Sequence, residues 1–326
     1  MNAGTEPSRG VSAATAARAA VLTAPGAPFE IRSFPLHPPP PGMVGVRVSC
    51  CTICGSDVHA WTGRRPPSFL PAIIGHEVCG RVDTFGDAPP TGFEGEPVGE
   101  GDRVTFSLTA SCGSCFYCTR AGLPQKCRSL IKYGHRTCDA EPSLSGGLAE
   151  YVYLFPGTSV LHVPDLVTDE VAATAMCAGA TMAHALDGAR ESGHRSILLV
   201  GIGMLGLWGI RLALARGFET VVCVDVEASR LDLASDVGAT EVVNVAETGE
   251  EGAVARILSA TGNRGADLCV DLSGSDEGIG LGLSSLRVGG ALKLVGPVVP
   301  LDSGLCDPFE IVTRSLRIEG IHNYRP

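Results

Sequence analysis

The stretch ILLVGIGMLG, residues 197–206, decides the fold of the second half of this 326-residue chain. Four apolar residues lead into Gly201, Gly203 and Gly206, which form a G-x-G-x-x-G pattern, and apolar residues then recur at helical spacing over 204–216. Between a strand and a helix, such glycines permit a tight turn, a close approach of the backbone to a pyrophosphate, and close packing of helix on strand. The stretch therefore predicts a strand, a glycine-rich turn and a helix whose N-terminus binds a dinucleotide.

An acidic residue at the expected distance supports this interpretation. Asp225 ends the next apolar segment, nineteen residues after Gly206. Its carboxylate would accept hydrogen bonds from the adenosine ribose and repel a 2′-phosphate, which favours NAD over NADP. Arg230 lies close enough in sequence to accommodate a phosphate, so NADP stays open. The alternative is a glycine-rich turn that binds nothing.

The two halves of the chain differ in pattern. Residues 19–164 contain short extended runs broken by glycine and proline, which predicts a small antiparallel barrel, with Pro38–Pro41 as an extended connector. After Asp165, apolar strands alternate with helical stretches, which predicts right-handed βαβ units and a doubly wound parallel sheet. The predicted strands are 196–200, 221–225, 241–245, 266–271, 291–295 and 316–321, and the predicted helices are 204–216, 228–237 and 251–261. We expect a flexible extension over 1–18, a barrel domain over 19–164 and a parallel-sheet domain over 165–326.

Composition excludes several classes of partner. The chain has 35 acidic and 25 basic residues and a formal charge of −10, which argues against a nucleic-acid or anionic-membrane surface. No apolar run reaches the ~18 residues that span a bilayer, and the first twenty residues lack the hydrophobic stretch of a secretory signal. Thirteen cysteines without an export signal favour the cytoplasm.

Four cysteines are crowded into CGSCFYCTRAGLPQKC, residues 112–127. They are Cys112, Cys115, Cys118 and Cys127. Spacings of this kind let four thiolates complete a tetrahedron, which leaves no open position and so predicts a structural zinc rather than a catalytic one. Unpaired thiols or two disulfides are the alternatives.

A second set of metal-binding residue types is spread along the chain. Most of the set lies in CGSDVH, residues 54–59, and GHE, residues 75–77, and one more cysteine lies in AMCAGAT, residues 175–181. The candidates are Cys54, Ser56, Asp57, His59, His76, Glu77 and Cys177. Two sulfurs and one imidazole would leave a fourth position for water, substrate or a carboxylate, which is a catalytic arrangement.

Each of these residues also has an ordinary explanation. A lone cysteine is often a buried apolar side chain, and a lone histidine is often a hydrogen-bonded structural one. A ligand as distant in sequence as Cys177 cannot be derived without the fold. Asp57 is expected to accept a hydrogen bond from the second ring nitrogen of His76 and so orient the imidazole.

Taken together and in this order, the motifs resemble those of the zinc-dependent medium-chain alcohol and polyol dehydrogenases, from about Ala19 to the end. The resemblance implies an α/β fold with a GroES-like β-barrel catalytic domain and a Rossmann domain. It implies Cys54, His76 and Cys177 as ligands of a catalytic zinc, with Glu77 as an intermittent ligand. The further roles that it implies are contact with the substrate oxygen for Ser56, support of the ligands for Asp57, proton relay for His59 and contact with the nicotinamide for Thr181.

The resemblance also implies two zinc ions per chain, NAD, and a small alcohol or aldehyde as substrate. The proton of the substrate hydroxyl would leave through Ser56 and His59, and a hydride would pass from carbon to the nicotinamide. Because residues 316–321 would form the edge of the parallel sheet, we expect a homodimer or homotetramer built on that edge.

The substrate is less well indicated. The blocks AGLPQKCRSLIKYGH, residues 121–135, and SGGLAEYV, residues 145–152, resemble a subgroup associated with phosphonate metabolism, so a hydroxyalkyl phosphonate joins simple alcohols and polyols as a candidate. An anionic group on the substrate would find a partner if one of the neighbouring basic residues reaches the cleft, although such residues are more often solvated. These residues are Arg64, Arg65, Lys132, His135 and Arg136.

Family members usually continue beyond the last strand and complete the barrel half, whereas this sequence ends at Pro326. Either the sequence is truncated or the protein is a compact variant with a more open cleft, and an NAD- and zinc-binding homologue without catalytic activity remains an alternative. A quinone or enoyl reductase is less favoured, because such proteins would normally lack Cys54, His76 and the four-cysteine segment.

Overall fold

The computed structural model describes residues 15–64, 68–189, 192–298, 300–301 and 307–326. In the first half, two antiparallel sheets have the strand orders β2-β1-β4 and β7-β6-β5-β3-β8, and β9 pairs with β6. The strands are β1 Ala16–Leu22, β2 Glu30–Pro35, β3 Val44–Thr52, β4 Ala72–Ile73, β5 Glu77–Phe85, β6 Arg103–Ala110, β7 Ile131–Lys132, β8 Tyr151–Leu154 and β9 Thr158–His162. Small apolar side chains and a few aromatic rings, such as Val46, Phe106 and Tyr133, fill the space that these sheets enclose.

The pairing of β3 with β5 brings the segment after β3 next to the segment before β5. Irregularities between Gly45 and Val46 and between Val48 and Cys50 curl the pair, as bulges do. At its end, Thr52 of β3 faces Glu77 of β5. The residues just after β3 and just before β5 therefore lie next to each other.

A continuous helical segment links the two halves. It consists of α3 Asp169–Thr174, a π-helical turn Ala175–Gly179 and α4 Ala180–Ala185, and it follows the short helices α1 Gly55–Trp61 and α2 Phe116–Thr119. α3 packs against β3 and β5 of the barrel, whereas α4 packs against a helix of the second half. α3 thus lies with the barrel although it follows the predicted border at Pro164.

The second half is a parallel sheet with helices on both faces, as the alternating pattern predicts. Its strands are β10 Ser196–Val200, β11 Thr220–Asp225, β12 Glu241–Asn244, β13 Ala266–Asp271, β14 Leu286–Leu294 and β15 Arg317–Gly320, in the order β12-β11-β10-β13-β14-β15. Its helices are α5 Met204–Ala215, α6 Ala228–Asp236, α7 Val245–Ala260, α8 Asp276–Ser284 and α9 Pro308–Thr313. The strand order reverses between β10 and β13, where ligands bind in sheets of this kind. The predicted barrel and doubly wound sheet are both confirmed.

Two predicted boundaries differ from the structure by more than two residues. β1 begins at Ala16, so residues 16–18 belong to a strand and not to a flexible extension, while residues 1–14 lie outside the described part. β14 begins at Leu286 instead of residue 291. The strand continues through Gly289 and Gly290, which lie in an irregularity of the β13–β14 ladder. The helical stretch Val245–Ala260 is broken at Gly249, where φ 66° and ψ 173° are not helical, so the predicted helix 251–261 corresponds to its second part. Within the described residues, no helix has the length and hydropathy to cross a membrane.

Candidate functional site

Residues from three separate segments meet where the two halves face each other. Cys54 precedes α1, His76 and Glu77 lie at the start of β5, and Cys177 lies in the π-helical turn. One ligand atom from each lies within 4.8 Å of the others. Cys177 Sγ is 3.8 Å from Cys54 Sγ and 3.5 Å from His76 Nε2. The structure thus brings together all four residues proposed for the second metal site, which we call the cleft metal site.

Asp57 ties two of these segments together. One carboxylate oxygen accepts from the Cys54 backbone N–H at 2.9 Å, and the other accepts from the Gly75 N–H at 3.1 Å. Asp57 lies beside His76 as expected, but its nearest oxygen is 3.6 Å from Nδ1, beyond hydrogen-bond distance. Asp57 therefore holds the cysteine loop against the segment that carries His76.

Glu77 has a partner that the sequence pattern did not reveal. The Thr52 hydroxyl donates to Glu77 Oε2 at 2.6 Å, which follows from the β3–β5 register. Burial raises the pKa of Glu77, and Thr52 partly opposes this shift. No motif distinguishes Thr52 in the sequence, because the contact depends on strand pairing.

The side chains of the cleft metal site shift one another's pKa values. The Cys177 thiol and the His76 ring lower the pKa of Cys54 against the effect of burial, while Cys54 and burial raise the pKa of Cys177. Burial by itself lowers the pKa of His76. The opposite effect of Asp57 and Cys54 is larger, so the pKa is raised overall, to about 9. Metal binding requires thiolates, and the groups around Cys54 already favour its thiolate form.

The distances also suit zinc. Tetrahedral zinc with Zn–S bonds of about 2.3 Å separates two sulfurs by about 3.8 Å, which agrees with the 3.8 Å between Cys54 Sγ and Cys177 Sγ. The donor set of two sulfurs, one imidazole and one carboxylate is that of a zinc site with an exchangeable position. The residues present therefore fit a catalytic metal.

The four-cysteine segment forms a second compact group, which we call the cysteine lobe, residues 112–127. Its four sulfurs also lie within 4.8 Å of one another. Cys127 Sγ is 3.4 Å from Cys112 Sγ and 3.9 Å from Cys115 Sγ, and Cys115 Sγ is 3.5 Å from Cys118 Sγ. The Cys112 and Ser129 backbone N–H groups point at Cys127 Sγ, as is common for metal thiolates. Four sulfurs at these distances fit a tetrahedral ion with no open position.

A groove runs from the cleft metal site across the glycine-rich turn. A cavity of about 500 Å³ is lined by the metal-binding residues together with Ser56, His59 and Thr181. A second cavity of about 600 Å³ is lined by Asp225 and Arg230. Both cavities share the lining residues Gly201, Gly203, Leu272 and Ser273. The groove thus joins the metal-binding residues to the predicted ribose-binding residues.

The three glycines of the turn have different roles in this groove. Gly201 has φ 97°, and a Cβ there would lie 2.8 Å from the Ser273 backbone nitrogen. A Cβ at Gly206 would lie 2.8 Å from the Gly201 carbonyl oxygen, so helix and turn need a glycine to pack this closely. A Cβ at Gly203 would meet no atom within 4 Å. Gly203 therefore presents bare backbone to the groove, which suits a pyrophosphate.

Asp225 is held rigidly at the far end of the groove. One carboxylate oxygen accepts from the Ile202 N–H at 2.6 Å, and the other accepts from the N–H groups of Val226 and Glu227. Arg230 Nη1 lies 3.5 Å from the same carboxylate and is half exposed. The two residues proposed for ribose recognition are therefore adjacent.

The basic residues considered for substrate recognition are placed differently. Lys132 lines the cleft cavity. The His135 ring lies with its centroid 5.7 Å from that of His76, and Arg136 donates to the carbonyls of Ala140, Glu141 and Pro142, which ties down its own loop. Arg64 is exposed and Arg65 lies outside the described residues.

The C-terminal residues also reach the cleft, which no motif indicated. His322 and Asn323 line the cavity, and the Tyr324 side chain is buried between the two halves. Burial raises the pKa of Tyr324, so its hydroxyl keeps its proton. This contact depends on how the halves pack and has no local sequence signal.

Comparisons with known proteins agree with this architecture. Residues 40–165 match the alcohol dehydrogenase GroES-like domain, and residues 205–326 match the zinc-binding dehydrogenase family. An L-idonate 5-dehydrogenase of Vitis vinifera is 32% identical over 310 residues, which cover 91% of this chain and 78% of the relative. The crystal structure of an alcohol dehydrogenase from Thermotoga maritima superposes with a TM-score of 0.90 at 33% identity, covering 95% of this chain and 85% of that one.

A second solved structure bears on the dinucleotide. It is a protein described as a zinc-binding dehydrogenase from Sinorhizobium meliloti, bound to NADP, with a TM-score of 0.80 and 27% identity over 96% of this chain and 86% of that one. Fold, metal-binding residues and sequence similarity thus agree, and the chain belongs to the zinc-dependent medium-chain alcohol dehydrogenase family.

Proposed function

We propose that the chain is a zinc-dependent oxidoreductase that transfers a hydride between an alcohol and NAD and yields an aldehyde or ketone. One observation carries the proposal: Cys54, His76, Glu77 and Cys177 converge at one end of the groove that reaches Asp225 at the other. A site with an exchangeable ligand position beside a dinucleotide groove suits the removal of hydride from an alcohol carbon.

The residues of the cleft have distinct roles in this reaction. Cys54, His76 and Cys177 would hold zinc, and Glu77 would be an intermittent fourth ligand. When bound, zinc supplies a Lewis acid for the substrate oxygen and NAD supplies the hydride acceptor. Ser56 would take the proton of the substrate hydroxyl, and His59 would pass it to solvent.

The placement of these polar groups supports the proton path. Ser56 and His59 line the same cavity one helical turn apart on α1. His59 Nδ1 is buried and has no hydrogen-bond partner within the part of the chain that the structure describes. Thr181 is buried in the wall of the cavity, beside which the nicotinamide would lie. The cysteine lobe would hold the second zinc.

We favour NAD as the cofactor, although a relative binds NADP. The Asp225 carboxylate is held by three backbone N–H groups, so it cannot swing away from a 2′-phosphate. A ribose with free hydroxyls would donate to this carboxylate, whereas a 2′-phosphate would meet its negative charge. Arg230 already lies against the same carboxylate, which lessens its ability to neutralise a phosphate.

Simple alcohols, polyols and hydroxyalkyl phosphonates remain the candidate substrates. Lys132, a basic residue in the lining of the cavity, favours an alcohol that also carries an acidic group. The named activity of the Vitis vinifera relative, L-idonate 5-dehydrogenase, is compatible with a hydroxy acid.

Zinc analysis combined with a substrate screen tests this function. We expect purified protein to contain zinc in both sites and to reduce NAD with at least one alcohol, polyol or hydroxyalkyl phosphonate. Cys54→Ser should lose the cleft zinc and lower kcat by roughly 10³-fold, because a metal Lewis acid supplies several kcal/mol of transition-state stabilisation. NAD binding by calorimetry and the far-UV circular dichroism spectrum should stay unchanged.

The other outcomes separate the alternatives. Turnover that persists after loss of the cleft zinc would contradict the mechanism and favour a zinc-independent quinone or enoyl reductase. Zinc and NAD binding without turnover on any of these substrates would favour a non-catalytic homologue.

A further inference from the structure

We propose that Tyr324 is a positioning residue for the cleft metal and holds the turn that presents Cys177. The inference rests on the proposed zinc site of the cleft. It does not give Tyr324 any contact with substrate or cofactor.

The turn that carries Cys177 lacks regular helical support. In an α-helix the Ala180 N–H would donate to the carbonyl of Met176, four residues earlier. Here the Ala180 N–H donates to the carbonyls of Ala175 and Cys177 instead. The Met176 carbonyl, adjacent to the ligand, therefore loses this hydrogen bond, and π-helical turns of this kind often lie at functional sites.

Tyr324 supplies the Met176 carbonyl with another donor. Its hydroxyl donates to Met176 O at 2.5 Å and accepts from the Leu108 N–H of β6 at 3.0 Å. The ring is 5% exposed and packs with Leu108 and Met176, and Cys177 packs against this cluster. One side chain thus connects the ligand-bearing turn to a barrel strand.

This connection matters because the ligands come from separate segments. Cys54 and His76 belong to the barrel side, whereas Cys177 lies in the helical segment that leads to the parallel sheet. Residues that hold metal ligands in place typically change metal affinity about 10- to 100-fold when mutated. Tyr324 fixes the position of Cys177 relative to the barrel through two hydrogen bonds and the packing of its ring.

The chain provides a matched control in Tyr153. Its hydroxyl also makes two backbone hydrogen bonds, accepting from His37 N–H at 3.0 Å and donating to His37 O at 2.7 Å. Tyr153 is 4% exposed and lies outside the cleft lining. Tyr324→Phe and Tyr153→Phe therefore each remove two hydrogen bonds between a tyrosine hydroxyl and the backbone, but only the first pair involves the turn that carries Cys177.

The test measures zinc transfer from the full chain to a chromophoric chelator. The cleft zinc is identified as the fraction that is missing in Cys54→Ser. We expect Tyr324→Phe to lose the cleft zinc about tenfold faster than wild type and to keep the zinc of the cysteine lobe. Tyr153→Phe should retain both zincs as wild type does. Unchanged retention in Tyr324→Phe, or equal loss in both variants, would overturn the proposal.

If Tyr324→Phe does not fold, amide hydrogen exchange in Cys54→Ser tests the role of Tyr324 without that variant. Removing the cleft zinc by Cys54→Ser should accelerate amide exchange in the peptide that contains Leu108, but not in the peptide that contains His37. Equal exchange of the Leu108 peptide in both proteins would overturn the role of Tyr324. Wild-type protein without a cleft zinc would instead contradict the proposed function itself.

Discussion

Asp225 shows how a single side chain determines what the groove can bind. Asp225 is the last residue of β11, and its carboxylate accepts a hydrogen bond from the backbone N–H of Ile202 in the glycine-rich turn. The same residue therefore stabilises the turn and faces the cavity in which we place the ribose. A substitution of Asp225 should therefore change cofactor binding. It should leave the metal ligands in place, because they lie at the other end of the groove.

Asp225→Ala should raise the KM for NAD selectively, by about 10-fold or more, because a hydrogen bond to a charged group contributes about 1.5–3 kcal/mol. The ratio of NADP to NAD activity should rise, because the charge that repels the 2′-phosphate is gone. Steady-state kinetics with both cofactors measures this. Glu227→Ala is the control, since Glu227 is exposed and lies outside the lining of the groove. An unchanged cofactor preference would contradict the role of Asp225.

At the scale of elements, Asp267 joins three strands at one end of the parallel sheet. Its carboxylate accepts from the backbone N–H groups of Arg195 and Ser196 at 2.8 Å and from Arg287 Nε at 2.5 Å. Burial raises the pKa of Asp267, but the Arg287 guanidinium and the N–H groups outweigh burial and hold it well below its usual range. The ionised form thus stabilises the junction of β10, β13 and β14.

Asp267→Asn should lower the free energy of unfolding at neutral pH by about 2 kcal/mol, since it weakens hydrogen bonds to a charged group. A carboxylate whose pKa is depressed by folding stabilises above its unfolded pKa of about 4, and this contribution is lost as pH falls through the folded value. The difference from wild type should therefore narrow below about pH 4. Urea unfolding of both proteins at a series of pH values measures this difference in the free energy of unfolding. A difference that stays constant in acid would contradict the assignment.

The exposed pair of Glu219 and Arg195 provides the control for that series. Both side chains are more than half exposed. Glu219→Gln should change the free energy of unfolding by no more than about 0.5 kcal/mol, because surface ion pairs contribute little.

The cysteine lobe is an element that depends on its metal. It contains only short helical turns, Phe116–Thr119 and Pro124–Lys126; Arg120 and Lys126 are exposed within it, and Arg128 is exposed just after it. Binding of structural zinc can supply on the order of 10 kcal/mol to such a segment. The fold of the lobe should therefore be linked to occupancy by metal.

Chelation of zinc should make the lobe sensitive to trypsin at Arg120, Lys126 and Arg128. The expected result is rapid cleavage within residues 112–127 and the segment just after it, detected by mass spectrometry, and protection when zinc is restored. Arg256 on α7, which pairs with Glu241, serves as an internal reference that chelation should not affect. Equal cleavage of the lobe with and without zinc would show that metal does not maintain it.

At the scale of the whole molecule, the parallel sheet has an edge that another subunit can use. β15 is the last strand of the sheet. Val288 on β14 and Phe309 and Val312 on α9, the neighbouring elements, are exposed apolar residues. An unpaired strand edge with apolar side chains nearby is a template for association. We propose that two chains associate through this edge, alone or within a tetramer.

Light scattering coupled to size exclusion should therefore give at least twice the chain mass of 33.7 kDa. Val312→Lys should shift the population toward the monomer, because Val312 is 76% exposed in the isolated chain and its replacement costs little there. Leu166→Lys, at a 99% exposed position in the first half, should leave the mass unchanged. A monomeric mass for wild type would refute the interface.

The sequence alone was sufficient for features that depend on neighbouring residues. The strand, turn and helix around Gly201 follow from local periodicity and glycine spacing, and the cysteine lobe follows from four thiols within sixteen residues. Resemblance to a family then indicated Cys54, His76 and Cys177 together, which spacing alone could not do. The start of β14 had no such local signal, because the strand continues through the glycine pair Gly289 and Gly290.

Tertiary structure decided everything that depends on contacts between distant segments. Cys177 is 101 residues from His76, and Tyr324 is 216 residues from Leu108, so neither contact leaves a pattern in a local window. The Thr52–Glu77 bond requires the register of β3 on β5, and the contacts of Tyr324 require a π-helical turn packed against the barrel. Local backbone preference determines strands and turns, whereas the packing of both cores determines which side chains meet in the cleft.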